Sequence, residues 1–376
     1  MTFKNLNLNT SLLQALQKKG YLEPTPVQQQ CIPHILQGRD LFGGAQTGTG
    51  KTAAFSLPLI QIISEKKTGH SYAGIKALIL APTRELALQI NDCLKAYSHG
   101  SGLKHTVIFG GVSQFHQVKD LRRGMDIIVA TPGRLLDLVE QGYIKLNAIE
   151  HFVLDEADRM LDMGFIRDIK KIISKLPAKK QTLFFSATLS PEVKQLSHAL
   201  LHDPVHVSVA PVSSSPDLID QSVYYVTKEN KKLLLRHLLE GSDVEHALVF
   251  TRTKRGADKV AKDLNRNGIN ADSIHGNKSQ GAREKAMKGF KNKNIRVLVA
   301  TDIASRGIDV RELSHVINYE IPEQAETYVH RIGRTGRAGS QGKAYSFCAS
   351  EERAFLKNIT HLMKKKINVV EKHPFA

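Results

Sequence analysis

His151-Phe152-Val153-Leu154-Asp155-Glu156-Ala157-Asp158 sets a near-continuous apolar run directly before a cluster of carboxylates. A strand with one wet face alternates apolar and polar side chains. This run does not, so both of its faces are expected to be covered. The signature recurs along the first half at Ala77–Leu80, Thr106–Phe109, Asp126–Val129, Thr182–Phe185 and Val205–Val209. It continues in the second half at Gln221–Val226, Ala247–Phe250, Arg296–Ala300, His315–Tyr319 and Lys343–Phe347. Segments of helical pattern, such as Glu85–Tyr97 and Gly256–Asn267, separate the runs. Strands alternating with helices predict βαβ units, hence α/β domains with mostly parallel sheets.

Between the two sets lies Ala210-Pro211-Val212-Ser213-Ser214-Ser215-Pro216, rich in Pro and Ser and without periodicity. That is linker composition. It divides the chain into a domain of residues 1–209, a linker of 210–216 and a domain of residues 217–376. The length of 376 residues accommodates two such domains, and 41 % hydrophobic against 24 % charged residues supports a real core in each. No apolar run approaches the ~18 residues of a membrane span, and Met1-Thr2-Phe3-Lys4-Asn5 lacks the apolar stretch of a secretory signal. Cys31, Cys93 and Cys348 stand far apart, fitting neither a disulfide framework nor a zinc site, and each is expected to be a small buried apolar residue. The expected address is the cytoplasm.

The net formal charge is +17, with +7 on residues 1–216 and +10 on residues 217–376. Because both halves share the excess, it is not a single basic tail. A polyanion such as nucleic acid is the partner such a surface suits.

Ala45-Gln46-Thr47-Gly48-Thr49-Gly50-Lys51-Thr52 has the composition of a phosphate-binding loop. Glycine-permitted turns let backbone N–H groups converge on phosphate oxygens, and the following helix N-terminus adds its positive dipole end. Lys51 reaches the β/γ-phosphates in such a loop and the Thr52 hydroxyl ligates Mg²⁺. Downstream, Asp155 at the carboxyl end of a covered strand is placed to hold Mg²⁺ through water, and Glu156 to orient or deprotonate an attacking water. Together the two motifs specify an ATP- or GTP-hydrolysing site. In the second half, His330-Arg331-Ile332-Gly333-Arg334-Thr335-Gly336-Arg337 spaces three arginines by three. Arg334 and Arg337 suit arginine fingers at the γ-phosphate; a basic loop for nucleic-acid phosphates is the alternative, and spacing does not separate the two.

These motifs, taken in order, resemble those of the DEAD-box RNA helicases of superfamily 2, bacterial in type, over nearly the whole chain. Asp155-Glu156-Ala157-Asp158 spells the family's name motif, and Ser186-Ala187-Thr188 matches the one that follows. Gly20-Tyr21-Leu22-Glu23-Pro24-Thr25-Pro26-Val27-Gln28 resembles the adenine-reading segment, with Phe3 at the upstream aromatic position; core packing is the alternative for Tyr21 and Phe3. The resemblance implies two tandem RecA-like domains, with ATP and Mg²⁺ as ligands. It implies nucleotide contacts from Phe3, Tyr21, Gln28, Gln46, Thr47, Gly48, Thr49, Gly50, Lys51 and Thr52, and from Gly307 and Asp309 near the ribose. The Mg²⁺ falls to Thr52 and Asp155, and catalysis to Lys51, Asp155, Glu156, Arg334 and Arg337.

The RNA-facing positions carried over by the same resemblance are Pro82, Thr83, Arg84, Gly110, Gly111, Thr131, Pro132, Gly133 and Arg134 in the first domain. In the second they are Thr251, Arg252, Gln280, Arg283, Thr301 and Asp302. Ser186, Thr188, His330 and Arg331 are expected to couple nucleotide state to closure of the domains, although two hydroxyls after a strand also suit an end cap. Thr, Gly and Arg contact phosphates and sugars without reading bases, so sequence-independent binding of single-stranded and short duplex RNA is expected. Aromatic content of 6 % and the absence of Trp argue against stacking platforms. The implied activity is RNA-stimulated ATP hydrolysis coupled to domain closure and local unwinding of short duplexes. A DNA-directed enzyme of the same superfamily is one alternative, against which the DEAD spelling and the Gln28 segment argue; an ATP-dependent RNA clamp is the other, and it shares every catalytic residue with the helicase.

Overall fold

The computed structural model describes residues 1–44, 49–67, 74–208, 219–241, 244–305, 313–336 and 341–375. The chain divides into two compact units, Met1–Val212 and Ser213–Ala376. In the first, β1 (Leu41–Gly44), β2 (Ala77–Leu80), β3 (His105–Ile108), β4 (Ile127–Ala130), β5 (His151–Leu154), β6 (Gln181–Ser186) and β7 (Val205–Ser208) form one sheet. Its order is β3-β4-β2-β5-β6-β1-β7. In the second unit, β8 (Ile219–Tyr225), β9 (Ala247–Phe250), β10 (Ala271–Ile274), β11 (Val297–Ala300), β12 (His315–Asn318), β13 (Gly342–Cys348) and β14 (Asn368–Val369) form another, in the order β10-β11-β9-β12-β13-β8-β14. Advancing every strand of the first sheet by seven reproduces the second. All pairings among the described residues are parallel.

The unbroken apolar runs resolve into two cores because successive side chains leave a strand on opposite faces. Ala77 and Ile79 of β2, Ile127 and Val129 of β4, and Leu183 and Phe185 of β6 pack into one core with the helix Lys51–Lys67. Leu78, Leu80, Ile128, Ala130 and Phe184 pack into the other, with the helix Pro132–Glu140. The expected runs coincide within about two residues with β2–β9 and β11–β13.

Three strands had no such signal. In β1, Leu41-Phe42-Gly43-Gly44, the sequence is poor in strand formers because the ring of Phe185 on neighbouring β6 occupies the space a Gly43 side chain would need. Strand β10, Ala271-Asp272-Ser273-Ile274, lies at a sheet edge and carries polar residues there. Strand β14 has only two residues, both exposed. Cys31 and Cys348 are buried as expected, and burial pushes the Cys31 thiol up to about 12. Cys93 is only half-buried, packed against the first core. No helix among the described residues is long and apolar enough to cross a membrane.

Glu150, just before β5, ties the far edge of this sheet together. Its carboxylate meets Lys66 Nζ at 2.8 Å and Lys76 Nζ at 2.9 Å. Burial pushes the carboxyl up, but the two ammonium groups outweigh it and hold the group at about 2, below its ordinary 4.5. A depressed carboxyl stabilises the fold above its unfolded value and loses that contribution as pH falls through its folded one. Glu150→Gln is therefore expected to lower Tm at pH 7, with the gap to the parent protein closing between pH 4.5 and about 2. A gap that stays constant down to pH 2 would show that the ion pairs contribute nothing.

Candidate active site and nucleic-acid interface

Parallel strands deliver their carboxyl ends to one edge of the sheet, where ligands of open α/β sheets bind. In the first unit that edge has two halves. Adjacent strands β5, β6 and β1 end in the carboxylate cluster, in Ser186-Ala187-Thr188 and in the phosphate-loop sequence. Adjacent strands β3, β4 and β2 end in the glycine pair, in Thr131–Arg134 and in Pro82–Arg84.

In the nucleotide half, Thr49 and Gly50 lead into the helix that begins at Lys51, and Thr52 is half-buried in its first turn. Gly50 has φ +94°, and a Cβ there would meet Gln28 Nε2 at 2.5 Å and Thr25 Oγ1 at 2.9 Å. Gln28 holds this turn: its Nε2 donates to Gly50 O at 3.1 Å, and its Oε1 accepts from Thr25 N at 3.0 Å. Each end of that amide keeps one further hydrogen-bonding position for a purine edge. Tyr21 is 40 % exposed, whereas Phe3 packs in the core at 4 % exposure. Of the two rings, Tyr21 is the more exposed, and Phe3 belongs to the first core. Gln46, Thr47 and Gly48 lie outside the described residues.

Lys51 Nζ stands 3.9 Å from Asp155 Oδ1, and both side chains are about 95 % buried. Neither atom has a hydrogen-bond partner among the described residues. Burial pushes Asp155 up to about 6, against the pull of the Lys51 ammonium. A buried ammonium without a hydrogen bond beside a carboxylate oxygen without one is costly unless further charged groups complete the set. A phosphate oxygen on Lys51 and a divalent cation on Asp155 would do so, so the donor set fits both groups. Glu156 follows with φ 56° and ψ 51°, a left-handed conformation for a non-glycine residue, and its Oε2 accepts from Arg159 Nη1 at 2.7 Å. Asp158 Oδ2 accepts from Ala187 N at 3.1 Å, Thr188 N at 3.0 Å and Thr188 Oγ1 at 3.1 Å. Ser186 Oγ donates to Thr188 O at 2.8 Å. The hydroxyl motif is therefore latched to the carboxylate motif.

Asp158 and Arg159 carried no expected role. The spacing of three from Glu156 to Arg159 on a helix was a usable signal, but Asp158 needed the adjacency of β5 and β6.

The other half of the edge is equally connected. Arg134 donates from Nη1 and Nη2 to Val112 O at 3.3 and 3.2 Å, tethering the loop that holds Gly110 and Gly111. Gly111 has φ +74°, and the Arg84 guanidinium lies where a side chain there would be. Thr83 Oγ1 accepts from Leu86 N at 3.3 Å and caps the helix Arg84–Tyr97. Pro82, Thr131 and Pro132 are buried, and Gly133 is exposed in the first turn of its helix.

In the second unit, Thr251 and Arg252 follow β9, Gln280 and Arg283 lie on the helix after β10, and Thr301 and Asp302 follow β11. Strands β10, β11 and β9 hold the places that β3, β4 and β2 hold in the first sheet. Thr251 is fully buried, and Gln280 Nε2 donates to Glu284 Oε1 at 3.0 Å. Arg331 is 1 % exposed and donates to both oxygens of Asp302, at 2.5 and 2.8 Å, and to Glu320 O at 2.7 Å. Asp302 is thus an acceptor already engaged by arginine, and Arg331 joins the end of β11 to the end of β12. Arg334 is buried one turn beyond Arg331, and His330 is half-buried. Arg337, Gly307 and Asp309 lie outside the described residues.

Comparison with known proteins agrees with this layout. The family model for the DEAD/DEAH box helicase matches residues 25–196, and that for the helicase conserved C-terminal domain matches residues 230–339. A DEAD-box ATP-dependent RNA helicase, CshA of Streptococcus pneumoniae, is 44 % identical over 98 % of this chain and 69 % of its own length. The RNA helicase CrhR of Synechocystis is 44 % identical over 98 % of this chain and 74 % of its own. Among solved structures, S. cerevisiae Dbp5 bound to RNA and ADP BeF3 matches with a TM-score of 0.86 at 28 % identity, covering 98 % of this chain and 95 % of that one. Two RecA-like sheets, each with its motifs at one edge, and relatives this similar over nearly the full chain place it among the DEAD-box ATP-dependent RNA helicases.

Proposed function

We propose that this helicase hydrolyses ATP in an RNA-stimulated cycle in which closure of its two domains about residues 210–216 locally unwinds short duplexes. The observation that carries the reading is the buried Lys51–Asp155 pair at the carboxyl edge of the sheet, whose facing atoms Nζ and Oδ1 lack hydrogen-bond partners among the described residues.

Each residue then has a task its chemistry suits. Gln28 and Tyr21 select adenine, since a buried amide rejects a mismatched edge at a real free-energy penalty. Backbone N–H groups of residues 46–50 and the Lys51 ammonium bind the phosphates. Thr52 and Asp155 hold Mg²⁺, which when bound neutralises charge on the transferring phosphoryl group. Glu156, oriented by Arg159, directs water in line. Arg334 and Arg337 bring positive charge to the γ-phosphate, and Gly307 and Asp309 approach the ribose. Asp158 passes the state of this edge to Ser186 and Thr188, while Arg331 and His330 perform the corresponding task in the second unit.

RNA binding falls to the β3-β4-β2 half of the first edge and the β10-β11-β9 half of the second. Arg84, Arg134, Arg252 and Arg283 supply charge there, Thr83, Gly110, Gly111, Gly133 and Thr301 allow close approach to phosphates and sugars, and the buried Thr251 braces its loop by donating to Thr253 O at 3.2 Å. Contacts of that kind carry no base readout, so binding is sequence-independent and weakens with salt. The protein acts in the cytoplasm on this reading.

ATP turnover measured alone, with single-stranded RNA and with DNA of matched sequence tests the proposal, using Glu156→Gln as the inactive background. RNA alone should stimulate; equal stimulation by DNA, or by neither, would remove the RNA assignment and leave the ATP site standing. Lys51→Ala should abolish turnover with the fold intact, and substantial residual turnover would refute the phosphate-loop role.

Arg334→Ala separates chemistry from binding. ATP affinity should hold while RNA-stimulated hydrolysis falls about a thousandfold, as for loss of an arginine finger. Binding and hydrolysis failing together would make Arg334 a structural residue.

A further inference from the structure

Glu352 ends the 3-10 turn Ser350–Glu352 and leads into the helix Arg353–Met363, yet its side chain is 1 % exposed. Its Oε2 accepts from Lys231 Nζ at 2.5 Å and Ala349 N at 3.0 Å. Its Oε1 accepts from Arg252 Nη2 at 3.0 Å and Ile321 N at 3.2 Å. The four donors come from the segments that follow β8, β13, β9 and β12, so one carboxylate joins four strand ends at the edge of the second sheet.

A buried carboxylate needs a counter-charge, and Lys231, itself buried and also donating to Phe347 O at 3.1 Å, already supplies one. Arg252 is therefore surplus to neutralising Glu352. Its side chain is 31 % exposed, its backbone N–H donates to Glu320 Oε2 at 2.7 Å, and its Nη1 lies 3.8 Å from Glu323 Oε1. A guanidinium has five N–H donors in a rigid fork, so one can be anchored inward while others stay available outward.

We propose that Glu352 is a positioning residue for RNA: it fixes one arm of Arg252 so that the exposed remainder is preset for a backbone phosphate. The inference rests on the assignment of Arg252 to RNA made above, and it adds the group that aims it. Gln at position 352 can satisfy the donors on one oxygen only; its NH₂ faces donors on the other side and displaces them.

A double-mutant cycle on the full chain tests this, reading the RNA concentration that half-saturates ATPase stimulation, the rate at saturating RNA and Tm. Glu352→Gln should raise the half-saturating concentration on the order of tenfold, with the rate at saturation nearly unchanged. In an Arg252→Ala background the same change should add nothing further. Equal shifts in both backgrounds would overturn the proposal, since Glu352 would then act on the fold alone. No RNA effect from Arg252→Ala would overturn it too, by removing Arg252 from the RNA surface, while RNA stimulation of the parent enzyme would still stand. Should Glu352→Gln fail to fold, Arg252→Lys decides the matter. Lysine lacks the rigid fork that spreads donors toward Glu352 and outward at once, so it should weaken RNA binding as Arg252→Ala does, and retained affinity would refute the positioning role.

Discussion

Parallel pairing sends every carboxyl end of a sheet to one edge, and the chemistry of this chain depends on that geometry. Residues as far apart in sequence as Lys51, Asp155 and Thr188 become neighbours because β1, β5 and β6 run the same way beside one another. The opposite edge carries pairs such as Lys66–Glu150, which serve the fold. Within the active edge the strand order makes a second division, between the β5-β6-β1 half and the β3-β4-β2 half. The second sheet has the same order: carboxylates follow β5 directly, and β12 is followed by Glu320 and Glu323 before the helix that carries Arg331.

The electrostatics of the first edge are those of a preorganised site. Lys51 and Asp155 are withdrawn from water without completing each other's hydrogen bonds, a state that favours ligands carrying both signs of charge. Glu156 occupies a left-handed backbone conformation that costs a non-glycine residue about 1–2 kcal/mol. Such strain persists where the surroundings over-determine it, here through the Glu156–Arg159 pair and the Asp158 contacts to Ala187 and Thr188. Neighbouring groups thus hold the Glu156 carboxylate in place, and its own backbone preference does not.

Much of this was legible in the sequence where a residue's role is local. Runs such as Ala77–Leu80 and Ala247–Phe250 declare covered strands because nothing polar interrupts them, and Gly50-Lys51-Thr52 declares a tight turn into a helix because of what glycine permits. Where the reason lies across the sheet, the sequence is silent. Gly43 is glycine on account of Phe185, and Ser273 is polar because β10 is an edge strand that meets Asp258. Nothing in the spacing of Lys231, Arg252, Ile321, Ala349 and Glu352 announces a common carboxylate. The identity of the two strand orders is likewise invisible, since no repeat of residues accompanies it. Phe3 marks the opposite limit: ligand contact and core packing are both open to an aromatic at its position, and its burial is visible only in the fold.

The same strand order constrains how the chain is built during synthesis. Strand β1 has sheet partners only in β6 and β7, at least 137 residues further on. The first sheet can therefore start from β2, β3 and β4, whereas the strand bearing the phosphate loop has nowhere to pair until the ribosome has passed Ser186. Non-local parallel pairing of this kind forms slowly and leaves apolar strands waiting. Strand β8, joined only to β13 and β14, repeats the delay in the second unit. In each half of the protein the β3-β4-β2 side or its counterpart has its partners early, and the opposite side is completed last.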